Sequence, residues 1–315
     1  MHSRTLAVLI FALACLLPVS AQQQALPQSE KSLVERLGFP KDARLLIIQT
    51  DIGMMHNINR AAFQAYEKNL VTSLTVLVPA PWFPEAAQFA RKYPDGDFGL
   101  HLAINSEWTP YRWGPISPRN LVPSLLDSEG YFPKTSAEAM KNAKAEEIEL
   151  ELRAQVERAR AAGINITHFD AHMGTFFESA ELLAVYRKIG REYGIPILLP
   201  ENVARRFNVP REEVVVQRDV QMHPGTPYSE WVPAYGKMLD QLAPGGVYML
   251  TLHLGYDDDE HRGATSGQEN WGPAWRETDT KVASDPEFQR MLREKKLILV
   301  TWKELAKALP KAANY

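Results

Sequence analysis

The segment Ile166–His172 has the sequence ITHFDAH, in which apolar residues alternate with His168, Asp170 and His172. Side chains alternate between the two faces of a strand, so these three polar residues lie on one side of it. A protein interior accepts such a row of polar groups only where they bind something. The segment therefore predicts a strand whose end takes part in a functional site.

Two other strand-like runs end in residues of the same kind. Asp51 follows the apolar run Leu45–Ile48, and His101 lies in a Gly-Leu-His-Leu sequence directly after Phe98. Carboxylates and imidazoles are common metal ligands, so the three segments predict a metal site assembled from distant parts of the chain. For Asp51 alone a helix N-cap is the competing interpretation. For His101 alone it is a hydrogen-bonded histidine of the core.

Short apolar runs alternate with amphipathic segments from Ala43 onward. The predicted strands are Leu45–Ile48, Ser73–Val78, Phe98–Ile104, Ile166–Phe169, Ile197–Leu199, Val214–Val216, Gly246–Leu252 and Ile298–Val300. The predicted helices are Ile58–Asn69, Pro84–Lys92, Ala137–Ala162, Ala180–Tyr193, Trp231–Leu242, Glu287–Lys295 and Trp302–Leu309. This alternation predicts an α/β fold with a mostly parallel sheet and helices outside it.

Seven or eight strand–helix units in one domain fit a TIM-like (β/α) barrel. An open doubly wound sheet is the alternative. The polar motifs favour the barrel because they follow several different strands, and the strand ends of a barrel converge on one mouth. An open sheet would spread the same residues along an edge.

The first residues of the chain predict export. A basic start, an apolar run from Leu6 to Leu17 and small residues up to Ala21 are typical of a secretory signal peptide. We predict a signal peptide at residues 1–21, a leader at 22–42 and one barrel domain at 43–315. The apolar run is too short to be a permanent anchor, so we expect a secreted or periplasmic protein without a membrane anchor. Cys15, the only cysteine, would leave with the signal peptide.

The charge balance excludes one class of partner. The chain has 35 basic and 38 acidic residues and a net charge of −3. Nucleic-acid binding requires an excess of basic charge, so nucleic acid is not an expected partner. The 7 Trp, 11 Tyr and 12 Phe residues are enough to line a sugar-binding cleft, although most of them are expected in the core.

Two aromatic loops follow predicted strands. The first contains Trp108, Tyr111, Arg112 and Trp113, and the second contains Trp271, Trp275 and Arg276. Aromatic faces stack on sugar rings, so Trp108, Arg112 and Trp113 are predicted to bind a carbohydrate substrate at the mouth. Packing of the loops against the barrel rim is the alternative for any single Trp.

His253 lies in a Thr-Leu-His-Leu-Gly sequence at another predicted strand end, and Asp257–Asp259 follow it. A histidine there is a candidate general acid that one of the aspartates would orient. A solvated loop is the alternative interpretation of the acidic run. Within Ile166–His172, one histidine and Asp170 are candidate supporting groups that orient the other histidine.

Four motifs taken in order resemble those of a known family. They are Asp51-Ile52-Gly53-Met54, Gly99-Leu100-His101-Leu102, His168-Phe169-Asp170-Ala171-His172 and His253-Leu254-Gly255. The set is similar to that of the YdjC-like carbohydrate deacetylases, and the resemblance extends from about Arg44 to Leu305. It implies a distorted TIM-like barrel that removes acetyl groups from N-acetylated sugars such as chitooligosaccharides.

The resemblance also implies one divalent metal ion with Asp51, His101 and His172 as its ligands. The family metal is usually magnesium, but two imidazoles and one carboxylate also suit zinc or another transition metal. His253 would protonate the departing sugar amine.

The chain departs from the family pattern at Thr50. The family has two adjacent aspartates, of which the first is the general base, and Thr50 stands at that position. Loss of a general base typically costs about 10²–10⁴-fold in rate. Asp170 or Glu107 is a candidate replacement, or the enzyme is slow. The alternative is a non-catalytic carbohydrate-binding relative, and a weaker one is a hydrolase of a different amide or ester.

Overall fold

The computed structural model describes residues 31–309. The predicted signal peptide at residues 1–21 and residues 22–30 of the predicted leader therefore lie outside the described residues, as do residues 310–315. The part from Ser32 onward forms one compact unit. No helix between residues 31 and 309 combines the length and the apolar character needed to cross a membrane.

Seven parallel strands form one curled sheet. They are β1 (Arg44–Ile52), β2 (Ser73–Val76), β3 (Phe98–Leu102), β4 (Ile166–Ala171), β5 (Arg218–Val220), β6 (Val247–Thr251) and β7 (Leu297–Leu299). Their order is β4-β3-β2-β1-β6-β5, with β7 also paired to β1. The sheet is a half-barrel surrounded by helices, which confirms the predicted distorted TIM-like barrel over the open doubly wound alternative.

Twelve α-helices occur in the described residues. They are α1 (Leu33–Arg36), α2 (His56–Glu67), α3 (Phe83–Lys92), α4 (Ser136–Asn142), α5 (Ala145–Ala161), α6 (Ala180–Tyr193), α7 (Glu201–Arg206), α8 (Tyr228–Asp240), α9 (Asp259–Ala264), α10 (Pro273–Ala283), α11 (Pro286–Glu294) and α12 (Trp302–Leu305). The single helix predicted at Ala137–Ala162 is wrong, because Ala143 has an extended backbone and separates α4 from α5.

Strand β1 is the centre of the sheet. It pairs with β6 through Leu45–Gln49, with β7 through Arg44–Leu46 and with β2 through Gln49–Ile52. All its residues after Arg44 are buried, which explains the nearly continuous apolar run, since a parallel strand is covered on both faces. Asp51 is the second-to-last residue of this central strand.

The two faces of β1 pack into different clusters. Leu45 and Ile47 pack inside the curled sheet in a smaller apolar cluster that includes Trp302, while Leu46 and Ile48 belong to the large cluster beneath the helices. Gln49 and Asp51 continue the inner face by strand alternation. The inner face of the sheet therefore changes from apolar to polar as β1 approaches its carboxyl end.

The wall of the barrel is incomplete between β4 and β5. The predicted strand Ile197–Leu199 is reduced to one bridge, between Phe169 and Ile197. The strand predicted at Val214–Val216 lies instead at Arg218–Val220, because ladder pairing to β6 begins only there. One backbone hydrogen bond, from Glu201 N to Gln217 O at 3.3 Å, links the two sides. A seam therefore opens the inner face to one side.

Candidate active site

The carboxyl ends of the strands bring the predicted residues to one cavity. Its volume is about 1460 Å³. The predicted residues that line it are Asp51, His101, Trp108, Asp170, His172 and His253, and Glu107 joins them. Convergence of these side chains from β1, β3, β4 and β6 is the arrangement expected of a barrel mouth.

A row of hydrogen-bonded polar side chains behind the cavity holds His101 in place. The Asp170 Oδ2 atom lies 3.1 Å from His101 Nδ1, an ion-pair distance. That carboxylate accepts a hydrogen bond from Gln49 Nε2 at 2.8 Å, and Gln49 Oε1 lies 2.9 Å from His168 Nε2. Burial lowers the pKa of His101, but the Asp170 charge outweighs it and the net pKa is raised. Asp170 therefore orients His101 and favours its charged form.

His168 is a structural member of this row. Its ring stacks on Trp302 with a centroid distance of 4.7 Å, and burial lowers its pKa to about 4. Gly99 on β3 makes room for the ring, because a Cβ there would lie 2.3 Å from two of its atoms. His168 is neutral near pH 7 and lies beneath the cavity wall rather than on it.

His172 follows β4 at a sharp turn. Met173 and Gly174 have φ values of 51° and 64°, a left-handed conformation that ends the strand and turns the chain. The His172 Nε2 atom lies 2.9 Å from Glu107 Oε2, and the His172 ring lies 4.9 Å from the His101 ring. Burial alone would raise the pKa of Glu107, but His172 lowers it, so Glu107 is ionised.

Asp51 forms a buried ion pair with Arg276 of α10. The Arg276 Nη1 and Nη2 atoms donate to Asp51 Oδ1 and Oδ2, each at 3.0 Å. Asp51 and Arg276 are both buried, with 6% and 4% of their surfaces exposed. Burial would raise the pKa of Asp51, but Arg276 and then His253 hold it well below its usual range. Asp51 is therefore a firmly ionised carboxylate at the end of the central strand.

His253 follows β6 and packs against Trp275 with ring centroids 4.7 Å apart. Its backbone N donates to Asp279 Oδ2 at 2.8 Å, which fixes the chain at this point. None of Asp257–Asp259 is the carboxylate that does so, contrary to the expectation that one of them orients His253. Burial lowers the pKa of His253 to about 4, so its ring is neutral near pH 7.

The imidazoles and carboxylates of this site can be compared with what a divalent metal ion requires of its ligands. The Nδ1 atoms of His172 and His253 are buried without a hydrogen-bond partner within residues 31–309, as expected of imidazoles that bind something further, whereas His101 Nδ1 already lies 3.1 Å from Asp170 Oδ2. As they stand, however, no three described His, Cys, Asp or Glu side chains enclose a common point. The residues therefore fit a metal site in kind, and Arg276 is the group that holds the Asp51 carboxylate.

Only one of the three predicted substrate-binding residues reaches the cavity. Trp108 reaches the cavity, although only 2% of it is exposed. Arg112 is held by Asp127 and the Phe132 carbonyl, and the Trp113 indole donates to Asn105 O, so both lie behind the cavity wall. The Arg112 and Trp113 side chains do not reach the mouth because their hydrogen-bond partners lie in the same loop region.

Two exposed apolar side chains occupy the mouth instead. Trp271 and Met173 line the cavity and are 45% and 50% exposed. Trp271 belongs to the second aromatic loop identified in the sequence and stands edge-on to Trp275 at 4.8 Å. Met173 was not predicted as a site residue, since its exposure results from the left-handed turn after His172.

Asp219 is a cavity residue that the sequence analysis did not identify. It lines the cavity on β5 and accepts a hydrogen bond from Thr251 Oγ1 at 2.8 Å. Burial raises its pKa to about 7. The preceding strand prediction ended at Val216, so the sequence offered no reason to place Asp219 on the inner face.

The Thr50 side chain does not replace the missing base. It is fully buried, and its hydroxyl accepts a hydrogen bond from Leu254 N at 3.3 Å. Thr50 is therefore a structural link between β1 and the chain after β6. Proton transfer at this site must use other residues.

The fold and site define a class of protein: a TIM-like half-barrel with carboxylates and imidazoles gathered at its strand ends. The YdjC-like protein family matches residues 44–294, and the chain belongs to this family. A relative from Thermus thermophilus named carbohydrate deacetylase is 31% identical over 288 residues, covering 88% of this chain and 99% of that protein. A Brevibacillus brevis relative of the same name is 27% identical over 264 residues, covering 83% of this chain and 99% of that protein.

A solved structure shares the fold. It is that of a proposed cellobiose-phosphate cleavage protein from Enterococcus faecalis. It superimposes with a TM-score of 0.71 at 22% identity and covers 84% of this chain and 99% of that chain. At this identity the similarity supports the architecture and not the substrate.

Proposed function

We propose that this protein is a metal-dependent hydrolase that removes acetyl groups from N-acetylated carbohydrates. The observation that carries the proposal is the meeting of Asp51, His101 and His172 at three strand ends in one large cavity. Relatives that cover most of the chain are named carbohydrate deacetylases, which supports the same activity here.

Asp51, His101 and His172 would hold one divalent ion, magnesium by family resemblance. The two imidazoles also suit zinc or another transition metal. When bound, such an ion polarises a carbonyl oxygen and lowers the pKa of bound water. Asp170 contributes by keeping the His101 ring in one orientation, as carboxylates behind ligand histidines do.

Glu107 is the carboxylate best placed to accept a proton. Asp170 is already engaged by Gln49, by the Ala171 backbone N and by His101. The Glu107 side chain instead pairs with His172 and lines the cavity. We therefore assign the base to Glu107 and the orienting role to Asp170.

His253 is proposed to deliver a proton to the departing amine. Because its ring is neutral near pH 7, it must first gain that proton during the reaction. Trp275 covers one side of the ring and limits its contact with water. A neutral imidazole in this place can pass a proton from the attacking side to the leaving group.

Acetate release tests the proposal. Purified protein would be assayed on N-acetylated oligosaccharides with Mg²⁺, Zn²⁺, Mn²⁺ or Co²⁺, and O-acetyl esters and other amides would be included in the panel. We expect metal-dependent acetate release that a His101→Ala variant lacks. Activity no higher than that of this variant, with every metal and substrate, would rule the proposal out.

The alternative function is carbohydrate binding without catalysis. It is favoured by Thr50, which is buried and bonded to Leu254 and so supplies no base. Introducing the family residue by Thr50→Asp discriminates the two. Activity that appears only in this variant would support the binding role, whereas acetate release by the natural chain would exclude it.

Export is a further proposal that rests on residues 1–21 alone. The natural host should deliver the protein to the periplasm or the medium with its new N-terminus at Gln22. Amino-terminal sequencing of the protein from those fractions tests this, and a retained Met1 would contradict it.

A further inference from the structure

The cavity extends beyond the catalytic residues to a group of arginines. Three arginines line this part of the cavity. Arg205 lies on α7, Arg211 lies between α7 and β5, and Arg218 lies on β5. They come from three separate segments, and all three are solvent-exposed. We call Arg205, Arg211 and Arg218 the arginine cluster.

The arginine cluster has no ion-pair partner among the described side chains. Arg218 Nη1 donates to the neutral Gln241 Oε1 at 3.1 Å, and this is the only side-chain hydrogen bond of Arg218 within residues 31–309. Nearby Arg187 and Arg191 differ, because both pair with Glu213 outside the cavity. The charges of the cluster therefore face solvent in the cavity without internal compensation.

The cavity consequently has two ends of opposite character. Its catalytic end carries the carboxylates of Asp51, Glu107 and Asp170, each with a partner of its own. The end beside Arg218 has two acidic side chains, Glu201 and the adjacent Asp219, against three guanidinium groups. This excess is notable in a chain whose net charge is −3.

The register of β5 and β6 separates the two ends. Arg218 pairs with Tyr248 near the start of β6, whereas His253 lies five residues further along the chain. At about 3.3 Å per residue Arg218 lies roughly 10 Å from the carboxyl end of β6 at Thr251, and His253 lies beyond that end. The cavity of about 1460 Å³ also exceeds the roughly 300–1,000 Å³ typical of small-ligand sites. Both measures suit a chain of sugar units rather than one.

We propose that the substrate is an acidic oligosaccharide whose anionic group binds the arginine cluster while an N-acetyl group lies at the catalytic end. The guanidinium fork matches the oxygens of a carboxylate, sulfate or phosphate ester. The inference rests on the proposed function for the identity of the N-acetyl group. The preference for a negative charge is independent of catalysis and is tested by binding.

Binding of matched oligosaccharides to the full chain tests the preference. The probes are a hyaluronan tetrasaccharide, which alternates N-acetylglucosamine with a uronic acid, N,N′-diacetylchitobiose 6-phosphate, and neutral N-acetylated chitooligosaccharides of equal length. Calorimetry should give an at least tenfold lower Kd for an acidic probe than for its neutral counterpart. The difference should shrink at high salt, since exposed charges are screened.

Arginine variants locate the effect. Replacing Arg211 and Arg218 by Gln should weaken acidic probes by about tenfold or more, as lost charge-assisted hydrogen bonds do, and leave neutral probes unchanged. The matched control is Arg293→Gln on α11, which removes an exposed arginine that does not line the cavity. Circular dichroism and unfolding curves would show that each variant is folded.

The outcomes separate this inference from the proposed function. Equal affinity for acidic and neutral probes, or an acidic preference that survives loss of the cluster, overturns the inference even if acetate is released. A cluster-dependent preference without acetate release supports the inference and removes the proposed activity. Tighter binding of only the uronic or only the phosphate probe supports it and identifies the anionic group.

Discussion

The Asp51–Arg276 pair makes a quantitative prediction about stability. Arg276→Met keeps much of the side-chain volume but leaves the buried Asp51 carboxylate without its bidentate partner. Removing one member of a buried ion pair typically costs about 3–5 kcal/mol. That is a large part of the roughly 5–15 kcal/mol by which domains are usually stable. We expect a loss in this range at pH 7.5.

The loss should depend on pH with a defined sign. The pKa of Asp51 is depressed in the native protein, so its contribution is complete above the unfolded value near 4 and disappears only as pH falls further. Without Arg276, burial dominates and raises this pKa. The variant can then protonate Asp51 at mildly acidic pH, whereas the parent keeps it ionised. The difference between parent and variant should therefore be smaller at pH 4.5 than at pH 7.5.

Urea unfolding followed by tryptophan fluorescence measures both numbers, with a chelator present to exclude bound metal. The control is Arg290→Met, which removes an exposed pair with Glu294 at 3.5 Å. Such pairs contribute about 0–1 kcal/mol. The reasoning would be refuted if Arg276→Met cost no more than the control, or if its cost were equal at the two pH values.

Three further predictions concern single residues. Glu107→Gln should lower the rate of acetate release in steady-state assays by about 10²-fold or more, whereas the exposed Glu129→Gln control should leave the rate unchanged. Gly99→Ala should destabilise the protein by about 1–3 kcal/mol in urea, because its Cβ would meet His168 at 2.3 Å; unchanged stability would contradict this. Asp219→Asn should gain stability relative to the parent between pH 5 and pH 8, because a buried carboxyl with a pKa near 7 opposes folding once ionised; a constant difference would contradict it.

The predictable part of the fold lies in strands that are covered on both faces. Leu45–Ile48 could be recognised because a parallel strand at the centre of a sheet is apolar nearly throughout. Ile197–Leu199 has the same composition but finds only one bridging partner, and β5 begins after the apolar run rather than within it. Pairing at the seam depends on the neighbouring chain, which no local pattern records.

The candidate site also has a part that could be predicted from the sequence and a part that could not. Asp51, His101 and the segment Ile166–His172 could be brought to one mouth from the sequence because the carboxyl ends of barrel strands converge, whereas the choice of His172 within that segment came from the family resemblance. Arg276 and Glu107 meet that face from a helix and a loop distant in sequence. Their positions follow from tertiary packing, so the sequence contained the residues but not the partners.

The charge layout of the cavity limits how a substrate can bind. The carboxylates of Asp51, Glu107 and Asp170 at the catalytic end have partners within the protein, whereas the arginine cluster has no ion-pair partner among the described side chains and attracts an anionic group. This attraction gives an acidic oligosaccharide one favourable register. A neutral oligosaccharide lacks it and can slide among several registers. An acidic substituent would therefore position the N-acetyl group before any chemistry begins, which is the kind of binding energy that offsets the entropy of orientation.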